Sequence, residues 1–100
     1  VGSPWVGVIL DTGNLMSEDP YEDMNKLMPY VVAWQLKESV FGWNLTEKID
    51  LDKIMQIVLK HNYRGYLPVE TLNTGTRKYN PYEIVPQFIA EVRQAICSAM

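Results

Sequence analysis

Apolar and polar positions along this chain alternate between two patterns. Trp5-Val6-Gly7-Val8-Ile9-Leu10-Asp11 is a short apolar run stopped by turn chemistry at Thr12-Gly13-Asn14, the pattern of a strand buried on both faces. Asp19 then stands where a helix cap belongs, with Pro20 at the first helical position and Glu22 three residues after the cap, which makes a capping box. Tyr21, Met24, Leu27 and Met28 supply that helix with one apolar face. A connection short enough for an αβ loop leads to a second strand, Val31 to Lys37. The pattern lapses into a long loop from Glu38 to Ile49. Asp50 opens a second helix, with Leu51, Ile54, Met55, Val58 and Leu59 spaced as one amphipathic face. His61-Asn62-Tyr63-Arg64-Gly65 ends it with turn chemistry, and Tyr66 to Thr71 reads as a third strand. After a polar loop, Asn80-Pro81-Tyr82-Glu83 is another capping box, and the last helix presents Val85, Phe88, Ile89, Val92, Ile96 and Ala99 on one face.

The order strand-helix, three times over, predicts an α/β fold with a parallel sheet and right-handed crossovers. Its units span residues 5–30, 31–62 and 66–99. Asp19-Pro20-Tyr21-Glu22 and Asn80-Pro81-Tyr82-Glu83 are near copies two units apart, consistent with a repeating architecture. Two prolines strain this scheme. Pro68 removes a ladder donor inside the third strand and Pro86 removes one in the second turn of the last helix, so a local irregularity is expected at each.

Composition narrows the partners. With 100 residues, 47% of them hydrophobic, the chain is long and apolar enough for one small globular domain. A net charge of −3 and the lack of a Lys/Arg cluster interleaved with aromatics remove the footprint of a nucleic-acid binder. The lone Cys97 has no partner for an internal disulfide and falls in a helical pattern as a small apolar residue, which suits a reducing, cytoplasmic setting. No apolar run approaches the roughly 18 to 20 residues that cross a bilayer, and no signal-peptide pattern opens the sequence, so no membrane is expected. Without a secretory signal, the glycosylation acceptor Asn44-Leu45-Thr46 is set aside. The sequence begins at Val1 close to a strand pattern and is read as a piece of a longer protein.

Reactive groups of parallel α/β sheets gather at the carboxyl ends of the strands, and here all three strands end in polar residues. Strand parity puts Asp11 on one face with Gly7 and Ile9, Gln35 with Ala33 and Lys37, and Glu70 with Tyr66 and Pro68. Asp11, Gln35, Lys37 and Glu70 can therefore converge on one pocket, with Leu10, Trp34, Leu36 and Val69 turned toward the helices. Two carboxylates and a carboxamide oxygen are hard ligands, suited to Mg²⁺ or Mn²⁺. The alternative is that Asp11 and Glu70 cap helix N-termini or pair with Lys37. Phe41 and Trp43 in the long loop can form a lid that packs on a ligand, or can fill the gap over the site or join a subunit contact. Arg77 and Lys78 follow the third strand as a phosphate site or as solvated charge. His61, the only histidine, sits at a helix end where a cation complements the dipole and is read as structural. Met24, Met28 and Met55 fit the helix core. Position 13 is Gly, and the acidic pairs of a receiver domain or a haloacid-dehalogenase-type nucleophile are not met around Asp11.

Gly7-Val8-Ile9-Leu10-Asp11-Thr12-Gly13-Asn14, Val31-Val32-Ala33-Trp34-Gln35-Leu36-Lys37-Glu38 and Tyr63-Arg64-Gly65-Tyr66-Leu67-Pro68-Val69-Glu70 together resemble the last three βα units of xylose-isomerase-like TIM barrels, the superfamily of sugar isomerases and sugar-phosphate isomerase/epimerases. The resemblance covers nearly the whole chain and implies the last part of a (β/α)8 barrel, a partial barrel whose upstream strands, or a second copy of the chain, complete it. It further implies a divalent metal, Mg²⁺ or Mn²⁺ with Zn²⁺ or Co²⁺ as alternatives, held by Glu, Asp, His and Glu from the last four strands. Asp11 matches the second ligand. Glu70 matches the fourth, which in such epimerases also serves as an acid/base. Asn14 falls where the family contacts substrate, and Lys37 matches the Lys of its His-x-Lys-Asp segment. Gln35 departs from the pattern by standing where most members have the metal-binding His, and the strand bearing the first Glu is absent. A solitary histidine also sets the chain apart from related DNA-repair endonucleases, which hold a histidine-rich zinc cluster.

The implied activity is isomerisation or epimerisation of a small sugar or sugar phosphate by proton transfer beside a carbonyl, with Glu70 and Lys37 as catalytic groups, Asp11, Gln35 and Glu70 as metal ligands, and Asn14, Trp43 and Arg77 toward substrate. The proton-transfer partner of Glu70 would lie upstream, so the 100-residue chain alone is expected to be inactive. A non-catalytic barrel segment acting as a binding or assembly module is the other reading.

Overall fold

The computed structural model describes residues 2–15, 17–39, 47–73 and 77–100. Within them the order is β1 (Val8–Asp11), α1 (Pro20–Leu27), a 3-10 turn (Met28–Tyr30), β2 (Val31–Lys37), α2 (Leu51–Lys60), β3 (Val69–Glu70) and α3 (Pro81–Ala99). The strands lie in the order β1-β2-β3. Both pairings are parallel, with Asp11 beside Gln35 and Lys37 beside Glu70. The fold is thus α/β, three parallel strands and three helices with an open sheet, consistent with the expected part of a barrel.

Local chemistry starts and stops each helix. The side chains of Asp19, Asp50 and Asn80 accept from the backbone N–H groups of Glu22, Lys53 and Tyr82, each at 3.1 Å, satisfying donors that a helix N-terminus leaves open. At the end of α2, Asn62 takes a left-handed φ of 55°. Tyr63 N–H then reaches back to the Val58 carbonyl at 3.0 Å, a Schellman-type closure in which Asn is one of the few residues that tolerate the conformation without strain.

The core lies between the sheet and the helices. Leu10, Trp34 and Leu36 from the strands pack with Met24, Met28, Ile54, Met55, Phe88 and Val92 in one buried cluster, with the Trp34 and Tyr63 rings 6.1 Å apart. Parity therefore sorts the strands as expected, and the opposite face is open: Ile9 is 65% exposed.

Several boundaries and faces depart from the sequence pattern. β1 begins at Val8 rather than Trp5, because Ser3 to Val6 makes a turn closed by Val6 N–H to the Ser3 carbonyl. β3 shrinks to two residues. Pro68 has no N–H to give, and only its carbonyl joins the sheet, accepting from Leu36 N–H at 2.8 Å. At Pro86 the irregularity does not interrupt the helix, and α3 runs through it. Pro86 and Tyr82 are both exposed, so water can take the Tyr82 carbonyl that the proline leaves without a donor. Ile57 and Ala95 are buried although periodicity placed them off the core face, whereas Leu59 is exposed. Cys97 is exposed rather than a core thiol. The buried line of α3 runs through Phe88, Val92 and Ala95, and Cys97 lies two residues beyond it, on the far side of the helix.

Candidate functional site

The carboxyl ends of the strands are joined by one residue that periodicity did not single out. Thr12 is fully buried. Its N–H donates to the Gln35 carbonyl at 3.1 Å, continuing the β1–β2 ladder past the strand end. Its Oγ1 accepts from Lys37 N–H at 2.8 Å. A hydroxyl immediately after a strand, in a position where parity turns it inward, was the available signal. The consequence is that the backbone carrying Gln35 and Lys37 is fixed against the loop carrying Asp11.

Around that clamp the structure brings together Asp11, Asn14, Gln35, Lys37 and Glu70. Asp11 Oδ1 accepts from Gly13 N–H at 2.9 Å, and its Oδ2 accepts from Asn14 Nδ2 at 2.9 Å. Lys37 Nζ lies 3.0 Å from Asp11 Oδ2 and 3.7 Å from Glu70 Oε2. Gln35 Nε2 donates to the same Glu70 oxygen in a close hydrogen bond. The side chains of Lys37, Asp11 and Glu70 are 11%, 16% and 33% exposed, so these ion pairs are shielded more than ordinary surface pairs. Gly13 matters for a steric reason, since a Cβ there would overlap the Lys37 stem where it passes over the loop.

The site is thus an ammonium between two carboxylates, with an amide and an Asn on its flanks. Pairing of Asp11 and Glu70 with Lys37, one of the two sequence-based alternatives, is what the structure contains. Among the described residues no group of three or more His, Cys, Asp or Glu is arranged to hold a metal. The donors still have the chemistry of a hard-ion site, because carboxylate oxygens from two strands converge on a single point and a carboxamide lies beside them. That point is the one where the Lys37 ammonium now sits.

The remaining predicted residues are scattered. Arg77 pairs with Glu38, with Nη1 3.3 Å from Oε2 and Nη2 closer still to Oε1, and stacks 5.7 Å over the Tyr79 ring. The Glu38 carboxylate raises its pKa further, so the guanidinium is committed inside the chain. Trp43 and Phe41 lie outside the described residues, as does the Asn44-Leu45-Thr46 acceptor. His61 ends α2 and shares a 3.2 Å hydrogen bond with the Asn25 side chain, a local structural tie.

No helix among the described residues is long and apolar enough to cross a membrane. No curated protein matches the sequence. The model of the xylose isomerase-like TIM barrel family matches residues 1–92, and with parallel βα units and polar groups gathered at the strand ends, the chain belongs to that family.

Proposed function

We propose that this chain forms the last part of a divalent-metal-dependent barrel that isomerises or epimerises a sugar or sugar phosphate by moving a proton next to a carbonyl. The observation that carries the proposal is the meeting of Asp11, Lys37 and Glu70 at the carboxyl ends of three parallel strands, where folds of this family place their chemistry. Asp11 and Glu70, with the Gln35 amide oxygen, would hold Mg²⁺ or Mn²⁺, which when bound stabilises negative charge on the sugar oxygens. Glu70 is the most exposed of the paired groups and serves as the acid/base. Asn14 holds Asp11 with one amide hydrogen and presents an exposed side chain to a hydroxylated substrate. Lys37, moved out from between the two carboxylates when the ion is bound, would neutralise a substrate oxyanion. Small sugars in a cytoplasmic setting complete the proposal, with further barrel strands or a second copy of the chain as the structural partner.

The test is deuterium wash-in from D₂O at the carbon beside the carbonyl, followed by NMR across a panel of ketoses and ketose phosphates with Mn²⁺ or Mg²⁺ present and the protein in its native assembly. Wash-in that is lost in Glu70→Gln and kept in Tyr82→Phe, an exposed position on α3, supports the proposal. Absence of exchange across the panel would overturn it. That result would favour a non-catalytic binding or assembly role, to which the neutralised carboxylates and the exposed Ile9 face also lend weight.

A further inference from the structure

We infer that Lys37 is a resident cation of the candidate metal position, so that a divalent ion and the Lys37 ammonium occupy it in alternation rather than together. The inference rests on the proposed metal role of Asp11 and Glu70 and goes beyond it. Three features carry it.

The first is placement. Nζ is 3.0 Å from Asp11 Oδ2 and 3.7 Å from Glu70 Oε2, the two oxygens that would have to turn toward a shared ion. An ion held by both carboxylates would need the space that Nζ fills.

The second is charge. Two carboxylates match one divalent ion in charge, and outweigh one ammonium by a single negative charge. Both cations together leave an excess of positive charge in a place where the side chains are only 11% to 33% exposed, and like charges within a few ångström repel strongly where water is scarce.

The third is that the chain builds Lys37 into place. Its N–H is bound to the buried Thr12 hydroxyl. Its stem crosses the loop where position 13 lacks a Cβ. Gln35 steers Glu70 by donating to the same oxygen that faces Nζ. Asp11 is oriented by Gly13, which donates to Oδ1, and by Asn14, which donates to the same Oδ2 that faces Nζ. Every polar neighbour thus serves the ammonium-filled state, and metal entry has to displace Lys37 and turn the Gln35 amide so that its oxygen, not its nitrogen, faces inward.

The experiment titrates Mn²⁺ into the full chain, with calorimetry and the Mn²⁺ electron paramagnetic resonance signal as readouts and circular dichroism as the folding control. Lys37→Met keeps the stem and removes the charge, and is expected to bind Mn²⁺ at least about tenfold more tightly than the parent chain. Lys37→Arg keeps a cation and is expected to stay at or below the parent affinity. Lys37→Met combined with Asp11→Asn is expected to lose the gain. Should Lys37→Met not fold, Lys37→Gln carries the same expectation. Binding in the parent with no tightening in the neutral variants overturns the inference while leaving the metal role of the carboxylates standing. Failure of parent and neutral variants alike to bind millimolar Mn²⁺ overturns both.

Discussion

Replacing Thr12 by Val tests the clamp beneath the site, because it removes the hydroxyl and keeps the shape. Thr12 is fully buried and its Oγ1 is the acceptor for Lys37 N–H at 2.8 Å, while its own N–H holds the Gln35 carbonyl at 3.1 Å. The backbone bond survives the substitution. The side-chain bond does not, and Lys37 N–H is left in an interior that water does not reach. An orphaned buried donor costs about 1 to 3 kcal/mol. The added methyl cannot offset it, since a buried methylene-sized group contributes only about 0.8 kcal/mol. Thr12→Ser makes the reverse trade, keeping the acceptor and losing the methyl, at about 1 kcal/mol or less. Val is therefore expected to be the worse substitution, lowering the melting temperature by several degrees at about 4 to 8 °C per kcal/mol for a domain of this size. Urea unfolding followed by circular dichroism, with midpoints compared at unchanged slope, measures both. A Thr12→Val chain as stable as the parent, or more stable than Thr12→Ser, would refute the clamp.

Leu10 and Ile9 are neighbours on β1 facing opposite ways, 1% and 65% exposed. In the 100-residue chain Leu10→Ala should cost about 2 to 5 kcal/mol and Ile9→Ala under about 1 kcal/mol; equal losses in denaturant melts would mean that the open face is covered. Asn62, at φ 55°, should accept Gly with little change and lose about 1 to 2 kcal/mol on replacement by Val, read from the same melts. Burial raises the pKa of the Tyr63 phenol, which donates to the Tyr66 carbonyl at 2.7 Å. Because its pKa is raised on folding, its contribution is complete below about pH 10 and is lost as pH rises through the folded-state value. A Tyr63→Phe chain should therefore lose less stability than the parent between neutral and strongly alkaline pH, and an unchanged difference would count against it.

How much of this was legible in the sequence depends on which force decided each feature. Alternation along Leu10-Asp11 and Trp34-Gln35-Leu36-Lys37 settled which side chains enter the core, because one face of each strand is covered by helices and the other is not. The caps at Asp19, Asp50 and Asn80 were equally readable, since they depend on bonds within three residues. Strand length was not. β3 is two residues long because Pro68 removes a donor and its neighbour Tyr66 is 90% exposed, a balance of pairing against solvent that depends on what lies beside it. Nor could spacing separate metal coordination from pairing with Lys37. Both need the same carboxylates at the same strand ends, and the difference lies in side-chain torsions. For Thr12, parity marks a hydroxyl turned inward, but its partner, a backbone N–H 25 residues away, is set by the pairing of the strands and not by local pattern.

In the proposed competition between Lys37 and a divalent ion, Gln35 is the residue that either state would use. An imidazole at this position would have one ring nitrogen to turn inward, and as a neutral acceptor it would favour a metal over an ammonium. A carboxamide carries a donor and an acceptor on one carbon and exchanges them by a half-turn. With nitrogen inward it donates to Glu70 and leaves that carboxylate facing Lys37, the arrangement in this structure. With oxygen inward it is a hard, if weak, ligand beside two carboxylates. Under the proposed metal role, Gln35 in place of the expected His would therefore do more than weaken the site. It would give the strand end a group compatible with either cation, at the position where Lys37 already supplies one of them, and the identity of the cation would be a matter of competition that the neighbouring side chains decide.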